Sequence, residues 1–189
     1  MILKVLTSNP GKVREYQKAF DDMGVVMEHH HIPYDEIQTS ELEEVVEKGM
    51  AELRAKGLKD FIIDDSGMFV HALKGFPGVY SAYGQKTIGN KGILTLMEGV
   101  KDRSATFKCC IGCDIDGETI IVTGKCDGFI LFEEKGTEGF GYDPIFSPDG
   151  KRSFAEISVE EKNTMSHRGN AVKLLREQLV TRGLLKGNH

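Results

Sequence analysis

The sequence predicts an α/β fold, and three observations predict it. Runs of β-branched and aliphatic or aromatic residues at Ile2–Leu6 and Phe61–Ile63 read as buried strands. Apolar residues recur at helical spacing at Val13, Tyr16, Phe20 and Met23, and again at Leu42, Val45, Val46, Met50 and Leu53. From Asp102 the character changes to alternating strands joined by turns, which predicts an antiparallel or mixed β portion. At 189 residues the chain makes one domain, or two tightly joined lobes, with length enough to bury a sizeable core.

The first strand ends in Thr7, Ser8, Asn9, Pro10, Gly11 and Lys12. Ser8 or Asn9 suits a helix N-cap and Pro10 its first turn, so a helix follows directly. Free backbone N–H groups, hydroxyls and one lysine at a helix start favour a phosphate, although the spacing of a P-loop is absent and a plain helix start has the same shape. Gly24 ends this helix and Val25–Met27 begin a second strand. The run His29–His31 does not converge on a metal, because successive strand side chains point to opposite faces. Ser40 with Glu43 reads as a capping box for the second helix, which Gly57 closes. Glu41, Glu43, Glu44 and Glu47 suit that helix's dipole, whereas Glu36 lies in the preceding loop, off the periodic face.

In FIIDDSG the strand Phe61–Ile63 stops abruptly at Asp64, Asp65, Ser66 and Gly67. Its end would bring two mutually repelling carboxylates to the sheet rim, where ligands of α/β proteins sit and where a cation would relieve them. An acidic turn is the plainer reading. KGFPGVYSAYG then reads as a loop, and Asn90–Met97 as a short helix. Ala105–Asp114, Glu118–Thr123 and Asp127–Leu131 read as strands, with a turn at Asp116–Gly117. In GTEGFGYDP, too glycine-rich for an element, the aromatic pair Phe140 and Tyr142 stands beside Asp143 in a way that suits a stacked base. Pro148–Gly150 is a turn. The chain closes in helices over Val159–Met165 and Ser166–Arg182, with Ala171, Leu174, Leu175 and Leu179 facing the core. Lys162, His167 and Arg168 cluster between these helices, either as a solvated face or as a polyphosphate site.

The net charge of −5 argues against binding a nucleic-acid backbone, so an anionic substrate would need local lysines and arginines or a divalent metal. No apolar run approaches the ~20 residues of a membrane span, and the start is too short and polar for a signal peptide, which predicts a cytoplasmic protein. Cys109, Cys110, Cys113 and Cys126 lack a repeated CxxC pair and are expected to be reduced, buried thiols.

TSNPGK, DDSG, GFPGVYSAY, GFGYDPIF and EEKNTMSHR stand in the order seen in the Ham1-like inosine triphosphate pyrophosphatase family, and the chain resembles its compact archaeal-type members. The resemblance spans Leu6 to Leu175. It implies an elongated α/β fold with a central mixed sheet flanked by helices. Residues 1–189 would form a single domain of two lobes with the nucleotide cleft between them. It further implies a homodimer that uses Mg2+ to hydrolyse XTP, ITP and dITP to the monophosphate and pyrophosphate. Asp65 would accept the proton of the attacking water and, with Glu36, bind the metal. Thr7, Ser8, Asn9, Pro10, Gly11 and Lys12 would hold the triphosphate, with Lys48 and Ser66 also touching substrate. Phe140, Gly141, Tyr142 and Asp143 would form the base pocket, and Lys162, His167 and Arg168 would contact the nucleotide. Many relatives carry tryptophan where Tyr142 stands, and a lysine that some carry after PG-x-Y is Ala82 here, so that contact is not transferred. A pyrophosphatase acting on modified pyrimidines and a nucleotide-sensing protein without catalysis are the alternatives.

Overall fold

The computed structural model describes residues 1–186. Among them six strands form one mixed sheet: β1 (Ile2–Leu6), β2 (Val26–His30), β3 (Phe61–Val70), β4 (Ser104–Ile115), β5 (Glu118–Ile130) and β6 (Phe146–Ser147), ordered β2-β1-β3-β4-β5-β6. The flanking helices are α1 (Pro10–Phe20), α2 (Leu42–Ala55), α3 (Ser81–Thr87), α4 (Gly89–Leu96), α5 (Val159–Met165) and α6 (His167–Thr181). β1 lies parallel to β2 and to β3, with Leu3 opposite Met27 and Val5 opposite Ile62. Parallel neighbours need a crossover, which α1 and α2 supply. The turn between β4 and β5 has positive φ at Asp116 (49°) and Gly117 (81°), the backbone a tight hairpin demands.

The chain divides into two compact units. The first comprises Met1–Asp65, Cys110–Thr123 and the chain from Ala171. In it, the periodic positions Leu42, Val45, Val46, Met50 and Leu53 of α2 are all buried, as are Tyr16 and Phe20 of α1 and Leu3 and Val5 of β1. The second comprises Ser66–Cys109 and Gly124–Asn170. Its core gathers Met68, Val70, Ile93, Met97, Phe107, Phe146 and Phe154, with Phe107 edge-on to Phe146 at 4.6 Å between centroids. Burying these faces is the main stabilising contribution of each unit.

Five local expectations change. β3 does not stop at Asp64 but continues to Val70, so DDSG is the middle of a strand. Gly67 permits this, because a Cβ there would stand 2.2 Å from the Gly78 carbonyl oxygen that packs over it. The expected strands Glu118–Thr123 and Asp127–Leu131 are one, since the residues between them stay extended. SAYG is the start of α3 and not loop, its Ser81 hydroxyl donating to the Gly78 carbonyl at 2.6 Å. α2 opens at Leu42, leaving Ser40 one residue short of the cap position. The cap residue is Glu41, whose side chain makes no capping bond; before it, Thr39 accepts from the Glu41 N–H at 3.3 Å and donates to the Glu44 carboxylate. In α6, Leu174 is 41% exposed, because it lies off the stripe of Ala171, Leu175 and Leu179, which is fully buried.

Candidate active site

In the first unit, the turn after β1 is built by its own side chains. The Thr7 hydroxyl oxygen accepts from the Asn9 N–H at 3.1 Å, and the Asn9 side-chain oxygen caps α1 by accepting from the Gly11 N–H at 2.9 Å. Pro10 has no N–H and the Lys12 N–H donates to the Asn9 carbonyl at 3.1 Å, so Asn9 closes the first turn beside Ser8, which is exposed. His29 contributes here too, its Nε2 lying 2.7 Å from the Thr7 carbonyl oxygen.

Lys12, on the first turn of α1, reaches β3. Its ammonium donates to Asp64 Oδ1 at 2.5 Å, and the Tyr16 hydroxyl donates to Asp64 Oδ2 at 3.2 Å. Lys12 and Tyr16 are four residues apart and share a helix face, which is why both meet one acceptor. Asp64 is buried, at 8% exposure, and holds these two groups of α1; Asp65, its neighbour on β3, is only partly buried. Adjacent strand residues face opposite sides of a sheet, so the two carboxylates of DDSG have different surroundings despite being consecutive.

The segment 31–41 forms no helix or strand, and Glu36 lies exposed within it. Its Tyr34 phenol has a pKa raised well above the usual range, first by burial and then by the charges of Asp64, Asp65 and Glu36. All three carboxylates therefore stand close enough to one phenol for their fields to be felt there. Glu36 and Asp65 supply the hard oxygens that magnesium takes, and no group of three or more His, Cys, Asp and Glu among the described residues makes a cage by itself. One or two carboxylates completed by phosphate oxygens and water is the usual setting of that ion, so these residues fit it. Lys48 lies on the exposed face of α2, near Glu52, whose carboxyl is held below its usual range first by hydrogen bonds from Lys56 and the Asp35 N–H and only last by the Lys48 charge.

In the second unit, the loop around Phe140 is held from several directions. Asp143, 3% exposed, accepts from the Phe140 N–H at 2.8 Å and from the Lys162 ammonium at 2.7 Å. The carboxylate thereby fixes the loop's shape and anchors the lysine. Tyr142 is buried in the unit's core, with its hydroxyl donating to the Ser81 carbonyl at 2.8 Å, and burial pushes its pKa up to about 12. It supports the loop from beneath. Phe140 is the half-exposed ring, 5.2 Å from the Lys162 ammonium. The Gly141 carbonyl accepts from both Gln85 (3.3 Å) and Asn90 (3.1 Å), two contacts that sequence reasoning missed. At the start of α6 the His167 ring stacks on Phe107, with centroids 4.5 Å apart, and Arg168 donates to the Ser66 hydroxyl at 3.4 Å.

Tyr16 and Tyr34 also escaped notice. Tyr16 reads as core by periodicity, but its spacing of four from Lys12 was the available sign. Tyr34 stands two residues before Glu36, which in an extended segment places both on one side. The four cysteines are free and buried. Among the described residues no helix is long and apolar enough to cross a membrane.

Comparison with known proteins bears on the whole chain. The dITP/XTP pyrophosphatase of Thermococcus kodakarensis is 53% identical over 174 residues, covering 92% of this chain and 94% of that one. That of Pyrococcus horikoshii is 50% identical over 175 residues, with the same coverage of 92% and 94%. Among solved structures, the Ham1 protein of Staphylococcus aureus has a TM-score of 0.82 at 32% identity, covering 96% of this chain and all of that one. A HAM1 protein from Coxiella burnetii has a TM-score of 0.83 at 29% identity, covering 96% of this chain and 99% of its own. The family description Ham1 family matches residues 3–178, and with relatives this similar along nearly the whole length, the chain belongs to the Ham1 family.

Proposed function

We propose that this protein is a nucleoside-triphosphate pyrophosphatase that hydrolyses XTP, ITP and dITP to the monophosphate and pyrophosphate, clearing deaminated purines from the nucleotide pool of the cytoplasm. The observation that carries this reading is the meeting of Lys12 and Asp64, which joins a phosphate-cradling helix start to the strand bearing Asp65. The relatives named dITP/XTP pyrophosphatase supply the substrate class.

Thr7, Ser8, Asn9, Pro10, Gly11 and Lys12 receive the triphosphate, with the α1 N-terminus and the Lys12 ammonium facing its oxygens. Asp65 accepts a proton from the water that attacks the α-phosphorus, and pyrophosphate leaves. Glu36 and Asp65 hold Mg2+, which when bound supplies charge neutralisation and a more acidic water. Asp64 keeps Lys12 and Tyr16 in place during the reaction. Lys12 stabilises negative charge developing on the phosphate oxygens.

Phe140 stacks on the base, with Gly141, Tyr142 and Asp143 shaping the loop that carries it. Lys162, His167 and Arg168 supply the hydrogen-bond donors that a 6-oxo purine accepts and that a 6-amino group leaves unpaired. Ser66 and Lys48 add polar contacts to the substrate. A homodimer is the assembly that the family resemblance supports, and a solution mass of one chain would exclude it.

Asp65→Asn is the sharpest test. It keeps the size of the side chain and removes the proton acceptor, so turnover should fall by about a thousandfold or more while the melting temperature stays near that of the parent. Near-parental activity would remove Asp65 from its assigned role.

A further inference from the structure

The loop that carries Glu36 has few means of holding a fixed position. On either side of Tyr34 its ties to α2 are exposed: the Lys56 ammonium donates to the Pro33 carbonyl at 3.4 Å, and the Asp35 N–H to Glu52 Oε2 at 3.0 Å. Water competes with such bonds, and each contributes little. Tyr34 is different. Its ring lies directly against the backbone of α2 at Gly49, where an added Cβ would stand 2.8 Å from Cδ2 and 2.9 Å from Cε2. The same missing side chain leaves room for Ile63 of β3, whose Cδ1 would be 3.0 Å away. Gly49 is itself buried in the middle of α2, a position where glycine costs about 1 kcal/mol of helix stability relative to alanine. The notch it leaves is filled by one aromatic ring from the Glu36 loop and one aliphatic side chain from the strand that carries Asp65.

We infer that Tyr34 is a positioning residue for Glu36: its ring, seated in the Gly49 notch of α2, sets where the Glu36 carboxylate stands for a divalent cation. The inference rests on the assignment of Glu36 as a metal-binding residue. Tyr34 and Glu36 are separated by a single residue, so the ring's seat keeps the Glu36 Cα within about 7 Å of the Tyr34 Cα. Ile63, which shares the notch, lies two residues before Asp65 on β3, so the seat adjoins the strand that carries that carboxylate.

The test is direct binding of Mn2+ to the full-length protein, by water-proton relaxation, alone and with an α,β-methylene analogue of ITP. Tyr34→Ala should weaken Mn2+ binding about tenfold or more, the loss typical when a residue orienting a ligand is removed. Tyr34→Phe, which keeps the ring, should remain within about threefold of the parent on the same reasoning. Gly49→Ala should mimic Tyr34→Ala in metal binding while melting no lower than a few degrees below the parent, since alanine favours the helix. Glu36→Gln should weaken binding at least as much, and adding Tyr34→Ala to it should cost little more, because the two act through one carboxylate. The inference is overturned if Tyr34→Ala binds Mn2+ like the parent while Glu36→Gln does not, or if the two losses simply add. If Glu36→Gln binds like the parent, or the parent takes up no Mn2+ in either condition, the metal assignment itself fails and the inference falls with it.

Discussion

At the scale of single residues, the two carboxylates of DDSG have different surroundings. Asp64 is buried within β3 and receives Lys12 and Tyr16 of α1, while Asp65 stays partly accessible on the same strand. Removing one partner of a buried ion pair leaves the other charge without compensation, which costs more than the pair itself contributes. Lys12→Met should therefore lower stability by about 3 kcal/mol in urea unfolding, at the low end for such pairs because Lys12 keeps some contact with water. Asp64→Asn in the same background should recover part of the loss, since a neutral amide needs no countercharge. A Lys12→Met protein as stable as the parent would mean that the pair is only a surface contact. The resemblance assigned Asp65 a part in the chemistry but left Asp64 without one. The partners of Asp64 lie 52 and 48 residues earlier, beyond any local periodicity.

At the scale of elements, periodicity was a good guide wherever a helix had one apolar face. Every apolar position expected for α2 is buried, and Pro10 and Asn9 open α1 as their chemistry requires. It failed where long-range packing overrides local signals. Two carboxylates and a glycine look like the end of a strand, yet β3 runs on, with the Gly78 backbone packed against Gly67. Gly67→Ala should push these two segments apart and destabilise the protein by about 1–3 kcal/mol, the usual cost of overpacking a tight contact. In a chain of this size the melting temperature would drop by about 3–10 °C. An unchanged melting temperature would show that the 76–78 segment yields freely. The Thr39 arrangement at the start of α2 is a similar case, since a hydroxyl one residue earlier than Ser40 has the better reach.

At the scale of the whole molecule, five ordered motifs were enough to indicate the family, and relatives of about half identity along most of the chain bear this out. What the motifs did not reveal is how each residue is held. Asp143 and Tyr142 are buried supports for the loop that presents Phe140, and the Gly141 carbonyl is gripped by two amides from α3 and α4. Motif spacing records which residues occur together, whereas support from beneath depends on contacts made across the fold. The central claim is that this chemistry releases pyrophosphate selectively from 6-oxo purine triphosphates. The most direct measurement follows both pyrophosphate and orthophosphate from XTP, ITP, ATP and GTP with Mg2+. The expected result is one pyrophosphate per monophosphate from XTP and ITP, with kcat/KM about a hundredfold or more above that for ATP, lost when the metal is chelated. Orthophosphate as the product, turnover of ATP equal to that of ITP and XTP, or no turnover of ITP would contradict it.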